Sequence, residues 1–399
     1  MSGAARRARL LLGSLAVAVL ALTSGCGGGG GGSNGPATLT VYVSVPLHGE
    51  RQPEGRAIVN GVKLALAEQG GRVGDLRIRA VYLDDTGGGP RWSPAAAAAD
   101  ARRAAEDSST IGYIGELDSG ATRFSLPITN QAEIAQISPG STAVDLTREE
   151  GGVDPDQYRP SGKQTFARIA PDDDVQARGA ALLAKRLGAR RVAVVTDGSQ
   201  FGRTIDAAFS ETANSLGLDA RAAGRAAPGG GGRVRRVPSA EAVYFAGTPS
   251  DAASDAMRTG APGADEVIAP DPFLPENGNV CLDLFKPTYV SSSFRDPSRL
   301  PVSARGFLRA YRARYGAPPP AASYGYEAMA LLLDSIRRAG SGGEDRDDVI
   351  DALLSTRDRQ SILGEYSIDP DGDTTLDLIT IYDLGACPVA VDREIRAPR

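Results

Sequence analysis

Few side chains in this chain are equipped for chemistry. It holds one histidine, His48, and three cysteines, Cys26, Cys281 and Cys387, among 399 residues. A serine or cysteine nucleophile activated by an imidazole would have to use His48. Zinc sites built from several histidines are excluded. Carboxylates are more plentiful. Asp84 and Asp85 end an apolar run, and Asp172, Asp173 and Asp174 open a helical one, where the helix dipole favours negative charge. The run Asp369, Pro370, Asp371, Gly372, Asp373 is similar to part of a calcium loop. Counted from Asp369, however, Thr374 stands where that loop needs glycine and Thr380 where it needs a bidentate glutamate. A turn into the β-branched run 378–381 is the better account. Neither a catalytic residue, a metal nor a cofactor is expected, and His48 is left either to line a ligand site or to sit exposed.

The elements that would position these groups alternate regularly. Residues 39–45 form a β-branched run. Ile58, Val62, Ala65 and Leu66 then recur at helical spacing until Gly70 and Gly71 stop the helix. A second strand is expected at 78–83. Ser93 and Pro94 are a cap and a first-turn proline for a helix over 95–106. Strands at 111–114 and 134–137 follow, with a helix at 124–133 between them. A second unit of the same kind has helices at 175–187 and from Ile205 to Leu216, and strands at 191–196, 242–246 and 266–269. The segment 221–238, with its glycine run 229–232, reads as a loop, and it lacks the lysine and hydroxyl residue of a nucleotide loop. An extended stretch at 288–292 and helices at 304–315 and 324–339 complete the pattern. This rhythm predicts α/β architecture, parallel sheets with helices on both faces. Ligands of such sheets sit at the carboxyl ends of the strands, here the loops after Val45, Asp85, Ile114 and Ile137.

The amino terminus differs from the rest. Arg6, Arg7 and Arg9 precede the apolar run 10–22, the pattern of an export signal and too short to span a membrane comfortably. It leads to Leu22-Thr23-Ser24-Gly25-Cys26, which resembles the bacterial lipobox, with Thr23 where leucine is usual. That resemblance implies a signal peptide over 1–25, acylation of Cys26 and attachment to a membrane. The glycine-rich stretch 26–37 is a flexible tether. Cleavage before Cys26 removes three arginines and no acid, taking the net charge from −5 to −8. An acidic chain has no electrostatic footprint for nucleic acid. In an oxidising compartment Cys281 and Cys387 form either one disulfide or two buried thiols.

In order along the chain stand Asn60-Gly61, Asp84-Asp85, Ile114-Gly115 with Ser119-Gly120, and the run Ile137, Ser138, Pro139, Gly140, Ser141, Thr142. Arg168 with Pro171-Asp172-Asp173 follows, then Gln200-Phe201-Gly202, Tyr324-Gly325-Tyr326-Glu327-Ala328, and Gly364 with Asp371-Gly372-Asp373. In this order they resemble the type I periplasmic-binding fold, in its leucine/isoleucine/valine-binding branch, over about residues 39–384. The resemblance implies two doubly wound lobes joined by a three-segment hinge. Lobe 1 would be 38–165 plus 291–362, and lobe 2 166–290 plus 363–399, with crossings near Phe166, Ser291 and Leu363.

It also implies an extracytoplasmic protein that captures an amino acid or related small molecule and hands it to an ABC permease. The same fold also serves sensors that signal to a membrane partner, and a degenerate relative would bind nothing. The ligand's carboxylate would meet Ser119, Gly140 and Thr142. Short hydroxyls and free N–H groups at a helix start suit a carboxylate, although such residues also simply cap helices. In the second lobe the family aromatic matches Phe201, a second one is replaced at Thr248, and the acid that meets the ammonium aligns with Asp271, which is either that partner or a solvated loop carboxylate. The first-lobe aromatic position falls in the polar stretch 48–51. A changed specificity surface follows, with a ligand more polar or larger than leucine.

Overall fold

A computed structural model describes residues 37–226, 239–250, 253, 264–275, 284 and 286–398. Cys26 and Cys281, and with them the signal peptide and tether, lie outside the described residues. Residues 37–399 form one compact unit. Its first sheet runs in the order β2-β3-β1-β4-β5-β6. The strands are β1 (Thr38–Val45), β2 (Arg72–Val73), β3 (Leu76–Asp84), β4 (Thr110–Ile114), β5 (Ala135–Ser138) and β6 (Phe166–Arg168). All pair in parallel except the two-residue edge strand β2. Order reverses between β1 and β4, which opens a crevice at their carboxyl ends.

The second sheet has the order β15-β14-β11-β10-β9-β7-β8. Its parallel part comprises β7 (Arg191–Thr196), β8 (Asp219–Arg225), β9 (Ala242–Ala246), β10 (Glu266–Pro270) and β11 (Thr288–Ser292). The last strands, β14 (Leu378–Asp383) and β15 (Ala390–Arg396), join antiparallel. A small separate ladder pairs β12 (Arg359–Gln360) with β13 (Glu365–Tyr366). Strand β8 falls where the sequence reads as loop. Its burial pattern has only Ala223 buried, so no hydrophobic alternation marks it.

The helices are α1 (Gln52–Glu68), α2 (Pro94–Glu106), α3 (Ser119–Gln131), α4 (Asp173–Arg186), α5 (Gln200–Ser215), α6 (Arg305–Tyr315), α7 (Pro320–Ala339) and α8 (Arg346–Leu354). Ser93 caps α2 as its sequence predicts, its Oγ accepting the Ala96 N–H at 3.2 Å. Helix α1 packs closely on α7, and two glycines permit it. A Cβ on Gly61 would lie 2.2 Å from the Ala322 carbonyl, and one on Gly325 2.4 Å from that of Ile58. Helices α1 and α6–α8 contribute to the core of the first lobe.

Core membership shows where the chain passes between lobes. Ala170 lies in the first core and Val175 in the second; Val290 lies in a second-lobe core and Phe294 packs against the first. Leu376 is still in the first core, and Ile379 is in the second. These passages fall at 170–175, 290–294 and 376–379, the second of them at the expected Ser291. Phe166 belongs to the first sheet because β6 completes its parallel edge on β5. The third passage falls well after Leu363 because Tyr366 and Ile368 are first-lobe core residues.

Candidate functional site

Parallel strands bring the loops after β1, β3, β4 and β5 to one edge. Ser119 opens α3, whose N-cap residue Asp118 makes no side-chain cap. Instead Asp118 Oδ1 accepts from Arg51 Nη1 at 2.5 Å, and Arg51 also pairs with Glu54. Helix α3 therefore presents an N-terminus with no side-chain cap to the crevice, a place that favours an anion. The loop after β5 reaches the same point. Ser119 Oγ accepts the N–H groups of Thr142 (3.0 Å) and Ala143 (3.1 Å). A hydroxyl has two acceptor positions and one donor. Both acceptor positions are occupied, so the O–H is the function left to offer, and it suits a carboxylate.

The loops beneath are stitched together. The Glu116 carbonyl accepts from Ser138 Oγ (2.7 Å) and Ser141 Oγ (3.1 Å), and Thr122 Oγ1 lies 2.7 Å from Ser141 Oγ. Gly140 is needed for packing: a Cβ there would meet Leu117 Cδ1 at 2.5 Å and Phe294 Cζ at 3.0 Å. Burial pushes both the Glu116 and the Asp85 carboxyls up, Asp85 to about 7; the Asp85 charge raises Glu116 further, while Asp118 raises Asp85 and Glu116 draws it down by hydrogen bonding.

The second lobe contributes two acids. Asp173 opens α4, with Asp172 as its N-cap accepting the Val175 N–H at 3.0 Å. The Asp173 N–H donates to the Thr142 carbonyl at 2.9 Å, so the acid stands beside the loop after β5. Its side chain is buried, with Oδ1 unpartnered. Burial raises its pKa to about 7; the Thr142 hydroxyl opposes this, and Asp271 adds to it. Asp271 itself, just after β10, is pushed by burial to about 6, with Gln176 and then Arg51 pulling it down. Asp271 thus couples to both Asp173 and Arg51 across the crevice. A further contact closes it nearby: Thr204 Oγ1 on α5 donates to Glu150 Oε1 of the first lobe at 3.1 Å.

The remaining candidates are placed elsewhere. His48 sits at the rim, its side chain 60% exposed and its Nδ1 2.6 Å from Asp84 Oδ2. Burial would raise Asp84, but hydrogen bonds from the Leu47 N–H, His48 and Thr86 outweigh it and hold that carboxyl low. Phe201 packs in the first turn of α5 against the second-lobe core. Thr248, in place of an aromatic, donates through N–H (2.9 Å) and Oγ1 (3.0 Å) to buried Asp197, which also holds Ser199. Among the described residues, no cluster of His, Cys, Asp or Glu side chains could hold a metal ion.

Three residues at work here escaped the sequence reading as site residues. Asp173 was expected only to favour a helix start, Asp197 carried no signal, and Arg51 was read only as part of a polar stretch. Arg168, a landmark without an assigned role, is fully buried behind the loop after β5. Its Nη1 donates to the carbonyls of Ala143 (2.7 Å) and Ser141 (3.4 Å), which flank Thr142.

Residues 38–380 match the family model described as periplasmic binding protein. The chain belongs to that family. It is 24% identical to the Leu/Ile/Val-binding protein BraC3 of Rhizobium johnstonii over 357 residues, covering 87% of this chain and 91% of that protein. The fold is also that of the leucine-binding protein LivK of Thermotoga maritima, with a TM-score of 0.69 and 22% identity over 90% of this chain and 99% of that one. A solute-binding protein of an ABC transporter from Rhodopseudomonas palustris, solved with 3,4-dihydroxybenzoic acid, gives 0.70 and 18%, covering 91% and 98%. These are binding proteins, not enzymes, and the family is extracytoplasmic. Among the described residues no helix is long and apolar enough to cross a membrane.

Proposed function

We propose that this periplasmic binding protein captures an α-amino acid between its lobes and delivers it to an ABC permease, held to the membrane by acylated Cys26. The observation that carries the ligand class is the pairing of two opposite subsites. Ser119 offers its O–H at an α3 N-terminus that has no side-chain cap, while Asp173 and Asp271 offer carboxylates from the other side. A carboxylate and an ammonium on one carbon satisfy both. An aromatic acid of the kind bound by the Rhodopseudomonas relative would satisfy the first subsite and leave two acids facing its ring. Arg51, held by Asp118 and Glu54, falls in the polar stretch 48–51 where the family resemblance implies an aromatic, which favours a polar ligand.

Capture follows from movement of the lobes about the three passages of chain between them. Gly140 shapes the anchor loop, Phe201 supports the second-lobe side, and His48 lies at the entrance. A disulfide between Cys281 and Cys387 belongs to the same reading; mapping peptides without reduction tests it. The deciding experiment is calorimetric titration of residues 37–399 with a panel of amino acids and hydroxybenzoates. Binding confined to amino acids supports the reading, and binding confined to the benzoates would overturn it.

A further inference from the structure

One surface of the first lobe has the opposite sign to the chain as a whole. Helix α6 reads RGFLRAYRARY and contains no acid. Arg305, Arg309 and Arg312 fall at i, i+4 and i+7 and so form one exposed stripe. Arg314 extends it at the end of the helix. Beside α6 runs α1, where Arg56 and Lys63 have the same seven-residue spacing and are also exposed. The residue between them, Asn60, hydrogen-bonds the Tyr311 side chain of α6, so the two stripes adjoin. Lys63 lies 4.9 Å over the Tyr82 ring, and Tyr82 in turn senses Tyr315.

None of these six cations forms a salt bridge among the described residues, although just over half of the other described arginines do. Unpaired, exposed cations in a chain of net charge −5 call for an anionic partner. Apolar groups mark the same place. The described residues include three large exposed hydrophobics, and two of them, Val302 (68% exposed) and Tyr315 (38%), stand at the two ends of α6. Guanidinium groups match phosphate geometry, and a tyrosine at the edge of a basic helix suits the boundary between headgroups and acyl chains.

We propose that the α1/α6 face docks on an anionic phospholipid surface. The stripe supplies contacts to headgroup phosphates, and Val302 and Tyr315 supply shallow insertion. Elsewhere the acidic surface is repelled, so the face also sets how the protein lies on the bilayer. The inference is independent of what the cleft binds.

Sedimentation of residues 37–399 with vesicles tests it, using phosphatidylcholine alone and phosphatidylcholine mixed with phosphatidylglycerol. Binding is expected only to the mixed vesicles, weakening steeply with salt. The triple variant Arg305→Glu, Arg309→Glu, Arg312→Glu should bind them about a hundredfold less well. Unchanged thermal unfolding shows that this variant is folded. Equal binding to both vesicle types, or wild-type binding by the triple variant, overturns the proposal. So does salt-sensitive self-association that the variant loses without any vesicle binding, which would assign the face to a second copy of the chain.

Discussion

Arg168 Nε lies 2.5 Å from Asp373 Oδ1, and both side chains are fully buried. The contact joins the first passage between lobes to the third. Arg148 joins the same group, donating to Asp172 Oδ2 at 2.7 Å with its Nε 3.5 Å from Asp373 Oδ2. Because Arg168 also holds the carbonyls beside Thr142, the pivot and the anchor loop share one side chain.

Replacing Asp373 by Asn should therefore destabilise strongly. It leaves a buried guanidinium without its nearest charge, a change that costs about 3–5 kcal/mol. Urea unfolding measures it, and a midpoint equal to wild type would show that Asp172 alone balances the arginine.

Ser119→Ala removes the hydroxyl and its acceptor for the Thr142 and Ala143 N–H groups. Hydrogen bonds to charged groups contribute about 1.5–3 kcal/mol, so amino-acid affinity should fall roughly tenfold to a hundredfold. Thr142→Ala should weaken binding too, with little loss of stability. Calorimetry that finds both variants binding like wild type would remove the anchor from this loop.

The paired acids predict a pH dependence. Asp173 and Asp271 lie above the ordinary aspartate value, at about 7 and about 6. Between about pH 4 and 7 the folded, ligand-free chain holds protons that the unfolded chain has released. Their contribution to stability is therefore lost as pH rises through that window. An ammonium favours the ionised carboxylates, so ligand affinity should rise over about pH 5–8. Asp173→Asn should flatten both trends; unaltered slopes in the variant would assign the titration to other groups, Asp85 and Glu116 first among them.

Gly61→Ala would drive a methyl into the Ala322 carbonyl. Overpacking of this kind costs about 1–3 kcal/mol. The melting temperature should drop while ligand affinity at low temperature stays near wild type, because the contact lies between α1 and α7. Equal loss of affinity would place that helix pair in the binding mechanism.

Much of this was legible in the chain itself. Strand β7 and the cap at Ser93 follow from local pattern and capping chemistry, which need no distant partner. That Ser119 meets the loop through Gly140 and Thr142 was readable because all three lie in ordered landmarks. Asp373 was not, since its partner Arg168 lies 205 residues away and a turn explains the local sequence equally well. Asp197 was hidden for a similar reason, its carboxylate joining two loops that only the β7–β9 pairing brings together. Strand β8 was missed because a sheet edge with one buried residue leaves no periodic trace.

The ends of the two sheets carry a last consequence. Strands β2 and β6 are two and three residues long, while β8 carries Arg221 and Arg225, and β15 carries Asp392, Arg393, Glu394 and Arg396. Short or charged margins give a neighbouring molecule no flat row of amides to extend. Many copies of this protein can therefore crowd together without zipping into fibrils, a colloidal tolerance built from strand length and charge alone.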